Sequence, residues 1–197
     1  MSLVGKPAPD FSATAIMADN SVNPEFNLKE YIKGKICVLF FYPLDFTFVC
    51  PTEILSFNDH LKEFEDNGAV VVGVSVDSQF SHLAYKNIPV KEGGIGKINF
   101  PLVSDITKKI ARDYEVLFND AIAFRGTFII NEEGKVIHQT INDLPLGRSI
   151  SEMLRLVNAW NQHQKYGEVC PANWNKGKDT MKPTSDGVKS FLAKRSA

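Results

Sequence analysis

The sequence predicts an α/β sandwich with a mixed central sheet, and two observations carry this prediction. Short apolar runs alternate with segments of helical periodicity along most of the chain. The last two runs are separated only by a turn signal, which indicates an antiparallel hairpin. We divide the 197 residues into a domain over 1–165 and a C-terminal tail over 166–197, because Gly, Pro, Asn, Lys and Ser dominate from about Tyr166.

Four apolar runs predict the strands, and they are Ile36–Tyr42, Ala69–Val76, Thr127–Ile130 and Val136–Ile141. The first two are apolar on both faces, which is typical of central strands that are covered on both sides. Between the last two runs, Asn131-Glu132-Glu133-Gly134 predicts the turn of a hairpin.

Helical periodicity follows several of these runs. Apolar residues recur at spacings of three and four after Cys50 and predict one helix that ends at Asn67-Gly68. A capping box over Ser149–Glu152 predicts the start of another helix. Two more helices are expected within 78–91 and 105–115, and a short periodic segment closes the tail at Val188–Leu192.

Composition and charge exclude several classes of function. Basic and acidic residues number 22 and 23, so no field of one sign is available to bind nucleic acid or an anionic membrane. No apolar stretch has the length that crosses a bilayer, and the first residues have no signal-peptide character. Three cysteines do not form a secreted disulfide framework. We therefore expect a cytoplasmic protein with a small substrate.

The chemistry is predicted around Cys50, where a strand leads through Pro43 into a helix. Pro51 suits the first helical turn, so the Cys50 sulfur is expected at a helix N-terminus, where negative charge is favoured and a thiolate nucleophile forms readily. The Thr47 hydroxyl can accept a hydrogen bond from a peroxide or donate one, and Pro43 can shield a small pocket. The alternative is a buried and inert thiol at a helix start.

Pro43, Thr47 and Cys50 match the Pro-x-x-x-Thr-x-x-Cys motif, and the chain resembles the peroxiredoxins there. FYPLDFTFVCPTEI is similar, almost letter for letter, to the peroxidatic loop of typical two-cysteine members. The resemblance continues at 123–126, 146–149 and 167–174, and so spans nearly the whole chain. It implies a thioredoxin-like fold and a peroxidase that reduces hydrogen peroxide and small organic hydroperoxides.

The resemblance also implies roles for single residues. Cys50 corresponds to the peroxidatic cysteine, and Cys170 to the resolving cysteine, which comes from the partner subunit. Arg125 matches the arginine beside the thiolate and the peroxide oxygens, and a guanidinium would stabilise charge on both. Glu53 and Arg148 resemble the ion pair that orients Arg125. Without the resemblance, Arg125 and Arg148 could be solvated charges, and Glu53 could simply complement the helix dipole.

The expected partners and cofactors come from the same resemblance. It implies a homodimer with an intersubunit disulfide, assembled into a decameric ring, and a thioredoxin-like reductant. No metal, haem, flavin or nicotinamide is needed. One alternative is a redox-regulated holdase chaperone or ring-forming interaction protein, supported only by the 14 Phe residues. Another is a dithiol–disulfide oxidoreductase, which the absence of Cys-x-x-Cys disfavours.

Two further residue types receive no chemical role. Cys37 lies in the apolar run Ile36–Tyr42 and is expected to pack as a small buried hydrophobe. The four histidines form no pair with the spacing of metal ligands, so we assign them neither a metal nor a catalytic function.

The resemblance also concerns two segments that pack together as a clamp in the family, and here they predict low or intermediate sensitivity to overoxidation. Gly93–Gly96 resembles the family's Gly-Gly-Leu-Gly element, but the C-terminal Tyr-Phe motif that pairs with it reads Ser190-Phe191 here. A clamp without the phenol should release the peroxidatic helix more easily. Mass spectrometry of Cys50 after peroxide challenge during turnover checks this. Sulfinic acid that accumulates as readily as in a Tyr-Phe homologue would contradict it.

Overall fold

The computed structural model describes residues 2–194. The chain divides into two compact units, Met1–Ile150 and Ser151–Ala197. The functional boundary expected after residue 165 stays a prediction, and the last three residues of the predicted tail lie outside the described residues. No helix in the described part of the chain is long and apolar enough to cross a membrane.

The first unit is built on a mixed sheet. Its strands are β1 Ser12–Ile16, β2 Val22–Asn27, β3 Ile36–Phe41, β4 Ala69–Ser75, β5 Leu102–Ser104, β6 Leu117–Phe118, β7 Ile122–Ala123, β8 Arg125–Ile130 and β9 Val136–Asn142. Within residues 2–194, seven of them form one sheet in the order β2-β1-β5-β4-β3-β8-β9, and β6 pairs with β7. β3, β4 and β5 run parallel, and the other neighbours pair antiparallel. The predicted mixed sheet and its hairpin are therefore confirmed.

The register of β3 against β8 determines where the site forms. Phe40 pairs with Thr127, so Arg125, two residues earlier in β8, lies where the chain leaves β3. β3 and β8 are buried at every position, because each has a strand on both sides and layers above and below. The segment that follows β3 thus lies next to the first residues of β8.

The helices are α1 Leu28–Tyr31, α2 Cys50–Asp59, α3 Leu61–Asp66, α4 Gln79–Asn87, α5 Lys109–Asp113, α6 Ile150–Tyr166 and α7 Ser185–Ala193. The prediction of one helix from Cys50 to Asn67 is wrong in one respect, because the chain breaks into α2 and α3 at His60. The His60 backbone leaves helical geometry (φ −96°, ψ 5°), and its ring nitrogen lies 2.9 Å from the Ser56 carbonyl. The apolar periodicity continues across the break.

The two helices expected within 78–91 and 105–115 are confirmed, and each occupies only part of its segment. α4 ends at Asn87 because Pro89 holds Ile88 in an extended conformation, and a 3₁₀ turn follows at Val90–Glu92. α5 begins only at Lys109. The Asp105 carboxylate, which precedes the helix, accepts hydrogen bonds from the Ile110 and Ala111 N–H groups in its first turn.

Aromatic side chains fill much of the first unit. The Phe40 and Phe57 rings stack at 4.3 Å between centroids and join β3 to α2. Phe41 and Phe128 meet edge to face at 5.8 Å on neighbouring strands. Cys37 is fully buried in the same core, which confirms its packing role, and burial raises the pKa of its thiol. Part of the high Phe content is therefore internal packing.

The second unit begins within α6 and contains α7. Between them, Val169 and Met181 form an isolated antiparallel bridge. The Thr184 side chain caps α7 by accepting from the Gly187 N–H. The final periodic segment predicted at Val188–Leu192 lies inside α7.

Gly94 offers a test of how tightly the segment after α4 is packed. A Cβ on Gly94 would lie 2.1 Å from the Ile88 carbonyl oxygen, a backbone atom that cannot move aside freely. Gly94→Ala should therefore lower the free energy of unfolding by about 3 kcal/mol. Gly93→Ala is the control, because Gly93 has a φ of +87° but no atom near its Cβ position and should lose only about 1 kcal/mol. Urea denaturation of both variants measures the difference, and equal losses would contradict the steric explanation.

Candidate active site

The segment between β3 and α2 carries the predicted motif. The Tyr42 N–H still donates to the Val74 carbonyl, and Pro43 after it is buried. α2 begins at Cys50 with Pro51 in its first turn, as the sequence predicts. Cys50 is fully buried, so its sulfur lies inside the protein at the N-terminus of α2.

The Arg125 guanidinium contacts the Cys50 sulfur. Arg125 Nη1 lies 3.4 Å from Cys50 Sγ, and Arg125 is only 4% exposed. Its Nε donates to the Leu144 carbonyl at 2.7 Å, which fixes the plane of the guanidinium. The alternative of a solvated surface charge is therefore wrong. A positive charge is held against the one sulfur at the start of α2.

The Glu53 carboxylate lies between two arginines. Its Oε2 accepts from Arg125 Nη1 at 2.8 Å, and its Oε1 accepts from Arg148 Nε at 2.8 Å and from the Arg148 backbone N–H at 3.0 Å. All three side chains are at most 4% exposed. One carboxylate between two guanidiniums formally leaves one positive charge, and this charge faces Cys50.

Arg148 is saturated with hydrogen bonds. Besides the Glu53 carboxylate, it donates to the carbonyls of Phe41 and Gly126 and to the Thr127 hydroxyl. Its guanidinium also lies 5.2 Å from the centroid of the Phe40 ring. Arg148 thus ties the ends of β3 and β8 to α2, and it is not a solvated residue.

Thr47 is placed before the helix with a defined hydrogen bond. Its Oγ1 donates to the Leu44 carbonyl at 2.9 Å, and the side chain is half-buried. Because the hydroxyl proton is used in this bond, the oxygen lone pairs remain to accept a hydrogen bond from a bound molecule. Of the two abilities expected for Thr47, the structure thus favours acceptance.

A second buried cluster, centred on Asp45, holds the loop before Cys50 in place. The Asp45 carboxylate accepts hydrogen bonds of 2.8 Å from the Tyr42 and Ser81 hydroxyls, and His82 Nδ1 lies 2.8 Å from it. The Asp45 N–H donates to Asp77 Oδ2 at 2.8 Å. Burial, and then the charge of Asp45, raise the pKa of both Tyr42 and Asp77. Sequence reasoning gave His82 no role, and no spacing links it to Asp45.

Cys170 belongs to the second unit and lies against α6. Its thiol is half-buried, with Sγ 3.6 Å from the Ala159 carbonyl oxygen. Burial raises the pKa of Cys170, while the Arg155 guanidinium opposes this effect. Arg155 in turn donates to the Trp174 carbonyl at 3.0 Å and thereby holds the same segment. Cys37, Cys50 and Cys170 are all free thiols.

No metal site accompanies these thiols within residues 2–194, since no group of three or more His, Cys, Asp and Glu side chains is arranged to hold an ion. A buried cysteine at a helix start, in contact with a guanidinium on an α/β fold, defines a thiol-based redox protein.

Comparisons with known proteins identify the family. Residues 4–139 match the model of the AhpC/TSA family, and residues 159–194 match that of the C-terminal domain of 1-Cys peroxiredoxin. Alkyl hydroperoxide reductase C of Helicobacter pylori is 52% identical over 98% of both chains. Peroxiredoxin-2 of Rattus norvegicus is 54% identical over 97% of this chain and 96% of its own.

A solved structure agrees over the same length. The reduced 2-Cys peroxiredoxin of Plasmodium vivax superposes with a TM-score of 0.95 at 48% identity, covering 98% of this chain and all of its own. The chain therefore belongs to the AhpC/TSA family of peroxiredoxins, and its fold is thioredoxin-like, as the resemblance implied.

Glu53 provides a test of the buried charge cluster. Glu53→Gln removes the negative charge between Arg125 and Arg148 and leaves two buried guanidiniums facing each other, which should lower the free energy of unfolding by about 3 kcal/mol. Glu63→Gln on α3, where the side chain is exposed, is the matched control and should change stability by less than about 0.5 kcal/mol. Denaturant titration compares them. A Glu53→Gln protein as stable as the control would show that the cluster is not tightly coupled.

Proposed function

We propose that the chain is a thiol peroxidase that reduces hydrogen peroxide and small organic hydroperoxides through Cys50. The contact of Arg125 Nη1 with Cys50 Sγ at 3.4 Å, in a site closed to bulk water, is the observation that carries this proposal. A guanidinium at this place favours the thiolate over the thiol and can also stabilise an oxygen that gains negative charge. The complete burial of Cys50 restricts access to molecules of a few atoms.

In the first step, the Cys50 thiolate attacks one oxygen of the peroxide. An S–O bond forms as the O–O bond breaks, and the leaving oxygen takes up a proton and departs as water or alcohol. Cys50 becomes a sulfenic acid. Arg125 stabilises the charge that develops on the leaving oxygen, and Thr47 accepts a hydrogen bond from the peroxide. Pro43 is buried and has no N–H, so it shields the Cys50 sulfur from water without offering a hydrogen-bond donor of its own. Glu53 and Arg148 keep Arg125 in place.

In the second step, we propose that Cys170 of the partner subunit attacks the Cys50 sulfenic acid. An S–S bond forms, the S–O bond breaks, and water leaves. A thioredoxin-like dithiol protein then reduces the disulfide by exchange and is itself oxidised. Three free thiols in one chain suit a reducing compartment, which supports a cytoplasmic location.

We propose that the chain associates with a second copy of itself through an edge of its sheet. β9 is an edge strand of the sheet in the described residues, and an edge strand can pair with its copy in a second chain. Phe46 is 50% exposed and Phe80 is 74% exposed, so large apolar rings remain for a second contact between dimers. These features support self-association, and we propose a homodimer that assembles further into a decameric ring.

Two cysteine variants test the reaction. Cys50→Ser should abolish peroxide consumption coupled to thioredoxin reduction, because the nucleophile is lost. Cys170→Ser should allow one turnover but stop thioredoxin-coupled recycling. Cys37→Ser is the control and should retain full turnover, since Cys37 lies in the core without a charged partner among the described residues. Full turnover by Cys50→Ser would overturn the proposal.

The pairing of the sulfurs is read from the same proteins. After mild oxidation, non-reducing gels should show a covalent dimer for the unaltered protein and for Cys37→Ser. The dimer should be absent from Cys50→Ser and Cys170→Ser. A covalent dimer that persists in Cys170→Ser would contradict the assigned resolving cysteine while leaving the peroxidase step intact.

A further inference from the structure

A short loop joins β9 to Arg148 and contacts the active site at both of its ends. Residues 143–147 form this loop, here called the β9 loop. Near its start, the Leu144 carbonyl accepts a hydrogen bond of 2.7 Å from Arg125 Nε. Directly after it, the Arg148 backbone N–H and guanidinium donate to the Glu53 carboxylate. The course of the β9 loop therefore affects where the Arg125 guanidinium is held.

The β9 loop has little packing of its own to fix its shape. Four of its five residues are exposed, namely Asp143, Pro145, Leu146 and Gly147. One turn forms inside the loop, where the Leu146 N–H donates to the Asp143 carbonyl at 3.1 Å. An exposed loop without buried apolar side chains keeps one conformation mainly through its hydrogen bonds. The bonds that tie the β9 loop to its neighbours thus determine its geometry.

Asn142, the last residue of β9, closes this loop with its side chain. Its Nδ2 lies 3.2 Å from the Leu146 carbonyl oxygen and 3.3 Å from the Gly147 carbonyl oxygen. Two carbonyl groups can be bound only by the NH₂ side of the amide, which has two protons to donate, so the orientation of the amide is determined. Asn142 therefore joins the beginning of the β9 loop to its end.

Asn142 and Arg125 are also direct partners in the sheet. The register of β8 against β9 pairs them, so the β9 loop starts beside the backbone of the arginine that it holds. The other end of the loop lies against the residue before Cys50, because a Cβ on Gly147 would come within 3.4 Å of Val49 Cγ1. The Asn142 amide thus links the strand that carries Arg125 to the start of α2.

We propose that Asn142 is a positioning residue for Cys50 that acts through the β9 loop and Arg125. The Asn142 amide holds the loop in the conformation that presents the Leu144 carbonyl to Arg125 Nε. That bond orients the guanidinium, so that its Nη1 meets the Cys50 sulfur. Without the amide, the Leu144 carbonyl is no longer fixed, and the guanidinium can turn towards Glu53 alone. The inference rests on the proposed function, because it assigns a task within the same site.

The orientation of the Arg125 guanidinium matters most near neutral pH. There the guanidinium favours the Cys50 thiolate over the thiol, whereas well above neutral pH a cysteine ionises without such help. The charged groups around the sulfur are Arg125, Glu53 and Arg148, and the Tyr85 phenol of α4 also lies within electrostatic range. Substitution of an uncharged residue outside this group leaves all of these charges in the protein. A loss of reactivity confined to the lower pH therefore reports how Arg125 is oriented.

Asn142→Ala and Asn142→Leu test the proposal, because both remove the NH₂ group and Leu keeps the size of the side chain. Iodoacetamide is the probe, and mass spectrometry measures the alkylation of each cysteine in the reduced protein. At pH 7, alkylation of Cys50 should slow by at least about fivefold in both variants, whereas at pH 9.5 it should match the unaltered protein. Oxidation of Cys50 by one equivalent of hydrogen peroxide should slow by a similar factor at pH 7. Alkylation of Cys170 in the second unit should not change.

Asn131→Ala is the matched control, because Asn131 holds the opposite end of the β8–β9 hairpin by accepting from the Glu133 and Lys135 N–H groups. It should change the reactivity of Cys50 by less than about twofold, even where urea denaturation shows an equal loss of stability. Equal slowing in the two Ala variants would overturn the proposal, as would slowing at pH 9.5 that matches the slowing at pH 7. If the alkylation results hold but the unaltered protein consumes no peroxide, the proposed function fails instead.

Discussion

The site depends on one carboxylate that is shared by two guanidiniums. Glu53 comes from the first turn of α2, Arg125 from the start of β8, and Arg148 from the segment before α6. Buried charges are tolerated only when they are paired. Displacement of any one of the three side chains would therefore leave an unpaired charge in the interior. The contact of Arg125 with the Cys50 sulfur is therefore fixed by charge balance. The β3–β8 register brings the participants to the same edge of the sheet.

Two buried polar clusters lie on either side of Cys50 in the sequence, one around Asp45 and one around Glu53, and their effects differ. The cluster of Glu53 and its arginines determines the electrostatics at the sulfur. The cluster of Asp45, Tyr42 and His82 determines how firmly the preceding backbone is held. Since the clusters share no hydrogen bond among those described, the reactivity of Cys50 and the mobility of its loop can be changed separately.

Much of the fold can be predicted from local patterns. β3, β4, β8 and β9 follow from apolar runs and a turn signal, because central strands buried on both faces leave a continuous hydrophobic record. β1 and β2 were missed, since their sequences SATAI and VNPEFN are short, partly exposed and interrupted by polar residues or proline. The break at His60 was missed because the apolar spacing of three and four continues through it.

The site residues also fall into those that a single segment predicts and those that it does not. Pro43, Thr47 and Cys50 lie within eight positions of each other, and their chemistry can be inferred from one segment. The Arg125–Glu53 and Arg148–Glu53 contacts span 72 and 95 residues, and only the resemblance to a family pointed to them. The pairing of Asp45 with His82 spans 37 residues and left no trace, because a lone histidine in a helical pattern resembles many packed histidines.

The strand that leads to Cys50 also carries a second cysteine, Cys37, and the two side chains are buried to the same extent. Cys37 and Cys50 are each inaccessible to solvent, yet only Cys50 has a guanidinium within hydrogen-bonding distance. Burial alone therefore does not distinguish the two cysteines, whereas the contact with a guanidinium does. Cys37 sits between β4 and β8 and can meet a labelling reagent only when the sheet itself comes apart. The rate at which Cys50 is labelled should therefore measure local opening around the start of α2, whereas the rate at which Cys37 is labelled should measure unfolding of the sheet.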